Sequence, residues 1–306
     1  MDKLRTKKIL VVGSSNTDMV IRTDHLPLAG ETVLGGTFFM NPGGKGANQA
    51  VAIARLGGKV AFICKTGSDV FGYQSHQLFE EEGIDVSYVL SDTDSPSGVA
   101  LITVDKNGEN SIVVAPGANA HLTPTDISEA EEAIDGVEFV LMQLEIPIET
   151  VEFVAKKAAG KNKKVILNPA PACKLSNELL KNLYMITPNE TEAELISGVK
   201  ITDEKSALEA AEKISGFGID YVIITLGSKG ALVYGGGICE MVPAVKVVAR
   251  DTTAAGDIFN GALAVALADD RSMLDAVRFA CKAAAISVTR MGAQSSAPYR
   301  NEVDVY

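Results

Sequence analysis

Strand-like and helix-like runs alternate along most of this chain, and that alternation restricts the fold more than any single motif. Short apolar runs at residues 8–13, 60–65, 138–144, 164–167, 184–186 and 221–225 read as strands. Helical patterns follow many of them, at 47–56, 72–82, 149–159, 190–197 and 207–214. Gly57 and Gly83 stand just past two of the helices, where a left-handed C-terminal cap belongs. Such an order predicts an α/β fold: a doubly wound, mostly parallel sheet with helices on both faces. A length of 306 residues suits one such domain spanning 1–306, and a 46% hydrophobic content can fill its core.

Two regions break the pattern. Residues 19–40 hold short β-rich pieces around Pro27, Gly30 and Gly35-Gly36. Residues 98–116 alternate as Val99 to Val104 and Ser111 to Val114 about an Asn107-Gly108 step, a strong hairpin signal. Both read as insertions that pair into one small antiparallel β lid. An ordinary edge sheet is the plainer alternative. An exposed sheet edge needs cover, and joining two lids in a homodimer would supply it.

Charge and cysteine usage exclude several classes. The formal net charge is −11 with no basic block, which argues against nucleic acid or an anionic membrane as partner. Cys64, Cys173, Cys239 and Cys281 are scattered without a CxxC pair, so neither zinc nor a disulfide framework is expected. The charged stretch Met1 to Lys8 runs straight into a strand too short for a signal sequence or a membrane span, and a cytoplasmic protein is expected. His25, His76 and His121 form no spaced cluster.

The segment Asp251-Thr252-Thr253-Ala254-Ala255-Gly256-Asp257 precedes an apolar helical run from Ile258 to Val265. A small-residue turn therefore opens a helix with a carboxylate in its first turn. Free N–H groups and the dipole favour an anion at such an end. A carboxylate beside an anion is a poor binder but a suitable base for a hydroxyl attacking a phosphoryl group. Helix capping explains the same residues, and the seven alone support both readings.

Polar residues also end several apolar strands: Glu145, Asn168, Asn189 and the loop from Thr225 to Gly230. In a parallel sheet these ends share one edge, where α/β folds bind ligands. Asn16 and Asp18 follow the first strand, and an amide with a carboxylate suits vicinal hydroxyls. Gly43-Gly44-Lys45-Gly46-Ala47-Asn48 opens another helix with glycines for close approach and two donors. It is not a P-loop, because Gly46 rather than Ser or Thr follows Lys45. Nor is there a dinucleotide fingerprint, because Gly13 leads into Ser14-Ser15-Asn16. Asn189-Glu190-Thr191-Glu192 reads either as a cap or as a carboxylate near hydrated Mg²⁺.

Together, Gly44-Lys45-Gly46-Ala47-Asn48-Gln49-Ala50, Met142-Gln143-Leu144-Glu145, Asn168-Pro169-Ala170-Pro171-Ala172, Thr187-Pro188-Asn189-Glu190-Thr191-Glu192 and the 251–257 segment resemble the PfkB-type carbohydrate kinases. The likeness runs over about residues 9–298, and the first two stretches resemble the ribokinase branch. It implies ATP-dependent phosphorylation of the O5 hydroxyl of D-ribose, giving D-ribose 5-phosphate and ADP, and a lid that doubles as a dimer clasp. Asp257 would be the base, with Ala254, Ala255 and Gly256 as an anion hole. Asn16, Asp18, Gly44, Lys45, Gly46, Ala47, Asn48 and Glu145 would contact the sugar. Asn189, Thr225, Leu226, Gly227, Ser228, Lys229 and Gly230 would hold ATP together with Gly256 and Asp257. Cys281 would stand beside the adenine, where some relatives carry histidine. Glu192 would lie near Mg²⁺ through water. Asp251, Thr253, Ser287, Arg290, Gly292 and Ser296 would form a monovalent-cation site for K⁺. Rival readings are a kinase for deoxyribose or another small sugar or nucleoside, with Asp18 as discriminator, and a catalytically silent sensor. The intact Gly256-Asp257 pair argues against the sensor.

Overall fold

Successive residues of a strand point to opposite faces, and in the central strands here both sets are apolar. Ile9 and Val11 enter one hydrophobic core, while Leu10 and Val12 enter the other. Phe139 and Leu141 divide from Val140 and Met142 in the same way. Strands of this kind need a helical layer on each face. The computed structural model describes residues 7–306. Residues 1–6, most of the charged stretch before the first strand, lie outside the described residues.

The chain runs β1 Lys8–Val12, β2 Asn16–Arg22, β3 Thr37–Gly43, α1 Lys45–Arg55, β4 Lys59–Gly67, α2 Val70–Glu81, β5 Val89–Asp92, β6 Gly98–Val104 and β7 Asn110–Ala115. It continues through α3 Pro124–Glu129, α4 Glu131–Asp135, β8 Phe139–Met142, α5 Ile148–Gly160, β9 Lys164–Leu167, α6 Asn177–Leu180, β10 Met185–Ile186, α7 Glu190–Ser197 and α8 Glu204–Ser215. Then come β11 Tyr221–Thr225, β12 Gly230–Gly235, β13 Ile238–Pro243, α9 Ala255–Ala268, α10 Met273–Ser287 and α11 Arg300–Val305. Gly57 and Gly83 do take positive φ, 80° and 76°.

The main sheet has nine strands in the order β13-β12-β11-β10-β9-β8-β1-β4-β5, parallel except for β12 and β13 at one edge. Strand order reverses at β1, which lies between β8 and β4. A crevice therefore opens beyond the C-terminal ends of β1 and β8, the usual ligand position in such sheets. Helices α1, α9 and α10 pack against one face; α5 and α8 are among those on the other.

The lid is a separate four-stranded sheet, β3-β2-β6-β7. The pairs β2–β3 and β6–β7 are antiparallel, and the two inserts join through a parallel β2–β6 pairing. Between β6 and β7, the Asp105 N–H donates to the Glu109 carbonyl and Gly108 takes φ 86°, a tight loop that only a residue tolerant of the left-handed region fits. The first lid strand starts at Asn16, three residues before the sequence pattern suggests. Asn16 and Asp18 thus stand on a lid strand and not in a loop. Alternation gives the lid two unlike faces. Asp18, Val20, Phe39, Ile102 and Ile112 line a cavity of about 970 Å³ against the body. On the opposite face the cross-strand partners Ile21 and Phe38, and Leu101 and Val113, are exposed.

Candidate active site

Under the lid, the start of α1 is built by backbone crowding. Gly44 caps the helix with φ 88°, and a Cβ there would press on the backbone of Ser14, Ser15 and Asn16. This brings the first-turn amides of α1 to the crevice. Glu145 reaches them from the end of β8: its Oε2 accepts from the Lys45 N–H at 3.0 Å and from Ser14 Oγ at 2.6 Å. Ser14 takes the next two, with its Oγ accepting from Gly46 and its carbonyl from Ala47. Asn119, which the sequence reading did not single out, donates to Asn16 Oδ1 at 2.8 Å. That contact fixes the Asn16 amide so that its nitrogen is the atom left to donate to a ligand.

Asp18 is half-buried on β2 beside this turn. Burial first, then Glu145 and Asp257, push its carboxyl up to about 6, against the pull of Lys45. Lys45 is itself held above its ordinary range: burial lowers it, but Asp257, Glu145, Glu192 and Asp18 outweigh burial. One ammonium group therefore serves four carboxylates, which suits a pocket for a polar, uncharged molecule next to an anion.

Asp257 sits in the first turn of α9 and is buried. Its carboxyl is pushed up by burial, an effect opposed by Lys45 and by hydrogen bonds from Asn48 and Gln49, with Glu145 adding to the rise. Asn48 Nδ2 donates to Oδ2 at 2.9 Å and Gln49 Nε2 to Oδ1 at 3.0 Å. Asn48 is among the residues expected to touch the ligand, and its amide nitrogen is already on Asp257. Its Oδ1 is buried without a partner among the described residues. Ala254 caps α9 in the left-handed region, φ 58°. The Ala255 N–H closes the turn onto the Thr252 carbonyl, while the amides of Ala254, Gly256 and Asp257 have no acceptor among the described residues. Unspent amides can donate to an anion, and the carboxylate beside them can take a proton.

On the other side of Gly256 lies a second cavity of about 940 Å³. Asn189, Thr225, Gly227, Ser228, Gly230 and Cys281 line it. Leu226 is buried in the core and Lys229 does not line the cavity. Burial pushes the Cys281 thiol up to about 11, so it meets a ligand as a small apolar group. Asn189 and Glu192 form a reciprocal cap on α7: the Asn189 side chain accepts from the Glu192 N–H, and both Glu192 oxygens accept from Asn189. The capping interpretation of this segment is therefore realised. Burial raises the Glu192 carboxyl, the Asn189 backbone and Lys45 lower it, and Asp257 raises it.

The expected cation ligands cluster only in part. Asp251 Oδ1 accepts from Thr253 N and Oγ1, and its Oδ2 accepts from Gly292 N at 2.8 Å. Burial would raise the Asp251 carboxyl, but these bonds outweigh it and hold it low. Ser287 and Ser296 hydroxyls donate to the carbonyls of Ala284 and Ala293. The Arg290 guanidinium pairs with Glu302, so only its backbone carbonyl can face a cation. The carbonyls of Thr253, Arg290 and Gly292 accept no hydrogen bond among the described residues. Those free oxygens beside an ionised Asp251 fit a weakly hydrated monovalent ion. No cluster of three or more acidic, histidine or cysteine side chains suited to a metal occurs among the described residues.

A buried carboxylate and open helix-start amides, on a turn whose Asp251 and Thr253 line the cavity under the lid and whose Thr252 and Gly256 line the second cavity, are the machinery of a phosphotransferase acting on a hydroxyl. A family model described as pfkB family carbohydrate kinase matches residues 6–300. The chain belongs to that family. It is 48% identical over 296 residues to a ribokinase of Haemophilus influenzae, covering 97% of each chain. Among solved structures, a ribokinase of Thermotoga maritima shares 42% identity with TM-score 0.90, covering 98% of both chains. An Arabidopsis thaliana ribokinase complexed with ribose and ATP superposes with TM-score 0.91 at 32% identity, again over 98% of both.

Proposed function

We propose that this protein transfers the γ-phosphoryl group of ATP to the O5 hydroxyl of D-ribose, giving D-ribose 5-phosphate and ADP. The observation that carries the reading is Asp257, buried at the start of α9 where the two cavities approach each other. Its ionised carboxylate takes the hydroxyl proton as the oxygen attacks. The open amides of Ala254, Gly256 and Asp257 hold charge developing on the phosphoryl oxygens, an arrangement whose donors are each worth ~10²–10³-fold in rate. Ribose lies under the lid. Asp18 accepts from its ring hydroxyls, Asn16 and Lys45 donate, and Gly44, Gly46, Ala47, Asn48 and Glu145 shape the floor. ATP fills the second cavity along Asn189, Thr225, Gly227, Ser228 and Gly230, with adenine near Cys281.

Glu192 is the carboxylate that Mg²⁺ would approach through water; the ion neutralises phosphate charge when bound. Asp251 with the carbonyls of Thr253, Arg290 and Gly292 would hold potassium, which braces the turn before α9. Two molecules would join through the exposed apolar face of the lid, where Ile21, Phe38, Met40, Leu101 and Val113 otherwise meet water. No helix among the described residues is long and apolar enough to cross a membrane. A cytoplasmic location accords with substrates such as ATP.

The test is a coupled ADP-release assay over a panel of pentoses, hexoses and nucleosides. Turnover greatest on ribose is expected. Greater turnover on deoxyribose or a nucleoside would replace ribose as substrate, and no turnover on any sugar would reject the kinase.

A further inference from the structure

We infer that Gln49 is the positioning residue of Asp257, held in a single orientation by the Asp257 charge and by Asn168 at the end of β9, with Gln143 after β8 donating to its oxygen; this rests on Asp257 being the base. Gln49 and Gln143 are fully buried, and Asn168 nearly so. Neither glutamine lines either cavity. An ionised Asp257 can only accept, so the Gln49 nitrogen must face it. That same NH₂ has a second hydrogen, which goes to Asn168 Oδ1 at 3.1 Å. Both of its donors are thus spent on fixed acceptors.

The remaining atom, Gln49 Oε1, accepts from Gln143 Nε2 at 2.6 Å. Asn168 cannot turn either, because its Nδ2 donates to the Thr187 carbonyl, which only accepts. A flipped Gln49 would set its oxygen against the Asp257 carboxylate and Asn168 Oδ1. Gln143 follows this choice, because its own Oε1 is buried without a partner among the described residues. Buried polar groups left in such contacts lose their desolvation compensation. The chain of amides therefore has one consistent polarity, set by one negative charge. Asn260 extends it to the backbone: its Nδ2 donates to the Gly256 carbonyl at 2.8 Å and its Oδ1 accepts from Thr187 Oγ1 at 2.6 Å.

Asn48 holds the other oxygen of Asp257, but Asn48 belongs to the sugar side and its amide can be shared with a ligand. Gln49 has no such second use. It keeps one carboxylate oxygen pinned, and so aims the other toward the pocket, whether or not substrate is present. Four charged groups also face Asp257 from the elements around it: Lys45 on α1, Asp18 on β2, Glu145 after β8 and Glu192 on α7. Removing the Gln49 donor leaves all four in place, so any change in titration reads the lost hydrogen bond.

The experiment is pH–rate profiling of the full-length protein with ribose and ATP. Gln49→Met keeps volume and removes the donor. We expect kcat to fall ~10- to 100-fold, KM for ATP to stay near wild type, and the acid limb of kcat to move to higher pH by about one unit, because a carboxylate losing a donor is easier to protonate. Gln143→Met should move the limb the same way by less, and the double variant should be no worse than Gln49→Met, since Gln143 acts through Gln49. An unmoved acid limb in Gln49→Met overturns the inference, as does a double variant whose losses multiply. If Gln49→Met does not fold, Gln143→Met decides alone, and an unmoved limb there overturns it. Asp257→Asn is run beside them. If it stays active, the base assignment falls and takes this inference with it; if it is dead while Gln49→Met has an unmoved limb, only the inference falls.

Discussion

Helices α1 and α9 both begin on turns of glycine and alanine, and neither receives a side-chain hydrogen bond from its N-cap residue. In sequence the two turns make equally good anion sites. In the folded chain they differ. The first three amides of α1 are consumed by Glu145 and Ser14, so this end already holds a carboxylate of the protein's own. At α9 only the Ala255 amide is used, and Gly256 opens onto the second cavity. Whether a helix start is closed or open thus depends on residues distant in sequence, here Glu145 for one amide and Ser14 for two. In the proposed function the closed end shapes the pocket for a neutral sugar, and the open end serves the phosphoryl group.

Substitutions can break or sharpen that contrast. Asp257→Asn strikes the open end and should cost most, ~10²–10⁴-fold in kcat for a lost general base, in a protein whose circular dichroism and melting match wild type. Asp18→Ala comes next: a hydroxyl left without a charged acceptor loses roughly 1.5–3 kcal/mol, read as a rise in KM for ribose but not for ATP. Equal losses for both substrates would point to structural damage. In the proposed function the ionised form of Asp18 is the acceptor, and its carboxyl is held up at about 6. KM for ribose should therefore climb as pH falls through about 6 and level off above it. Asp18→Asn should flatten that dependence.

Two smaller effects follow. Replacing KCl by tetramethylammonium chloride at constant Mg²⁺ should loosen the turn before α9 and slow initial rates by up to about tenfold, equivalent to ~1.4 kcal/mol; equal rates would reject a potassium site. Glu145→Ala opens the closed end. Losing a cap costs ~1 kcal/mol, so Tm should fall by about 2–4 °C. An unchanged Tm would mean that Glu145 contributes nothing to the start of α1.

Much of this was legible in the sequence, for physical reasons. Central parallel strands must be apolar on both faces, so β1, β4, β8, β9 and β11 announce themselves, and the reciprocal cap of Asn189 and Glu192 makes α7 readable from residues 190 to 197. The position of Asp257 followed from a helix start that local composition defines. What stayed hidden depends on contacts between distant segments. Nothing local says that the Asn48 amide lies on Asp257, that Glu145 fills the α1 turn, or that the two inserts meet in parallel. Asn119 reaches Asn16 across 103 residues, and no pattern near either reveals it. Gln143 did leave a trace, a fully polar side chain inside an apolar strand end. Buried amides of that kind are the signal by which such networks can be found.

The most direct test of the contrast between the two helix starts is a crystal structure of the protein with ribose, ADP and aluminium fluoride as the phosphoryl mimic. The fluoride should lie within hydrogen-bonding distance of the Gly256 and Asp257 amides, with the ribose O5 hydroxyl against the Asp257 carboxylate and Glu145 still closing α1. Fluoride seated on the amides of Lys45 to Ala47, or the sugar hydroxyl resting on Glu145 instead of Asp257, would contradict the account.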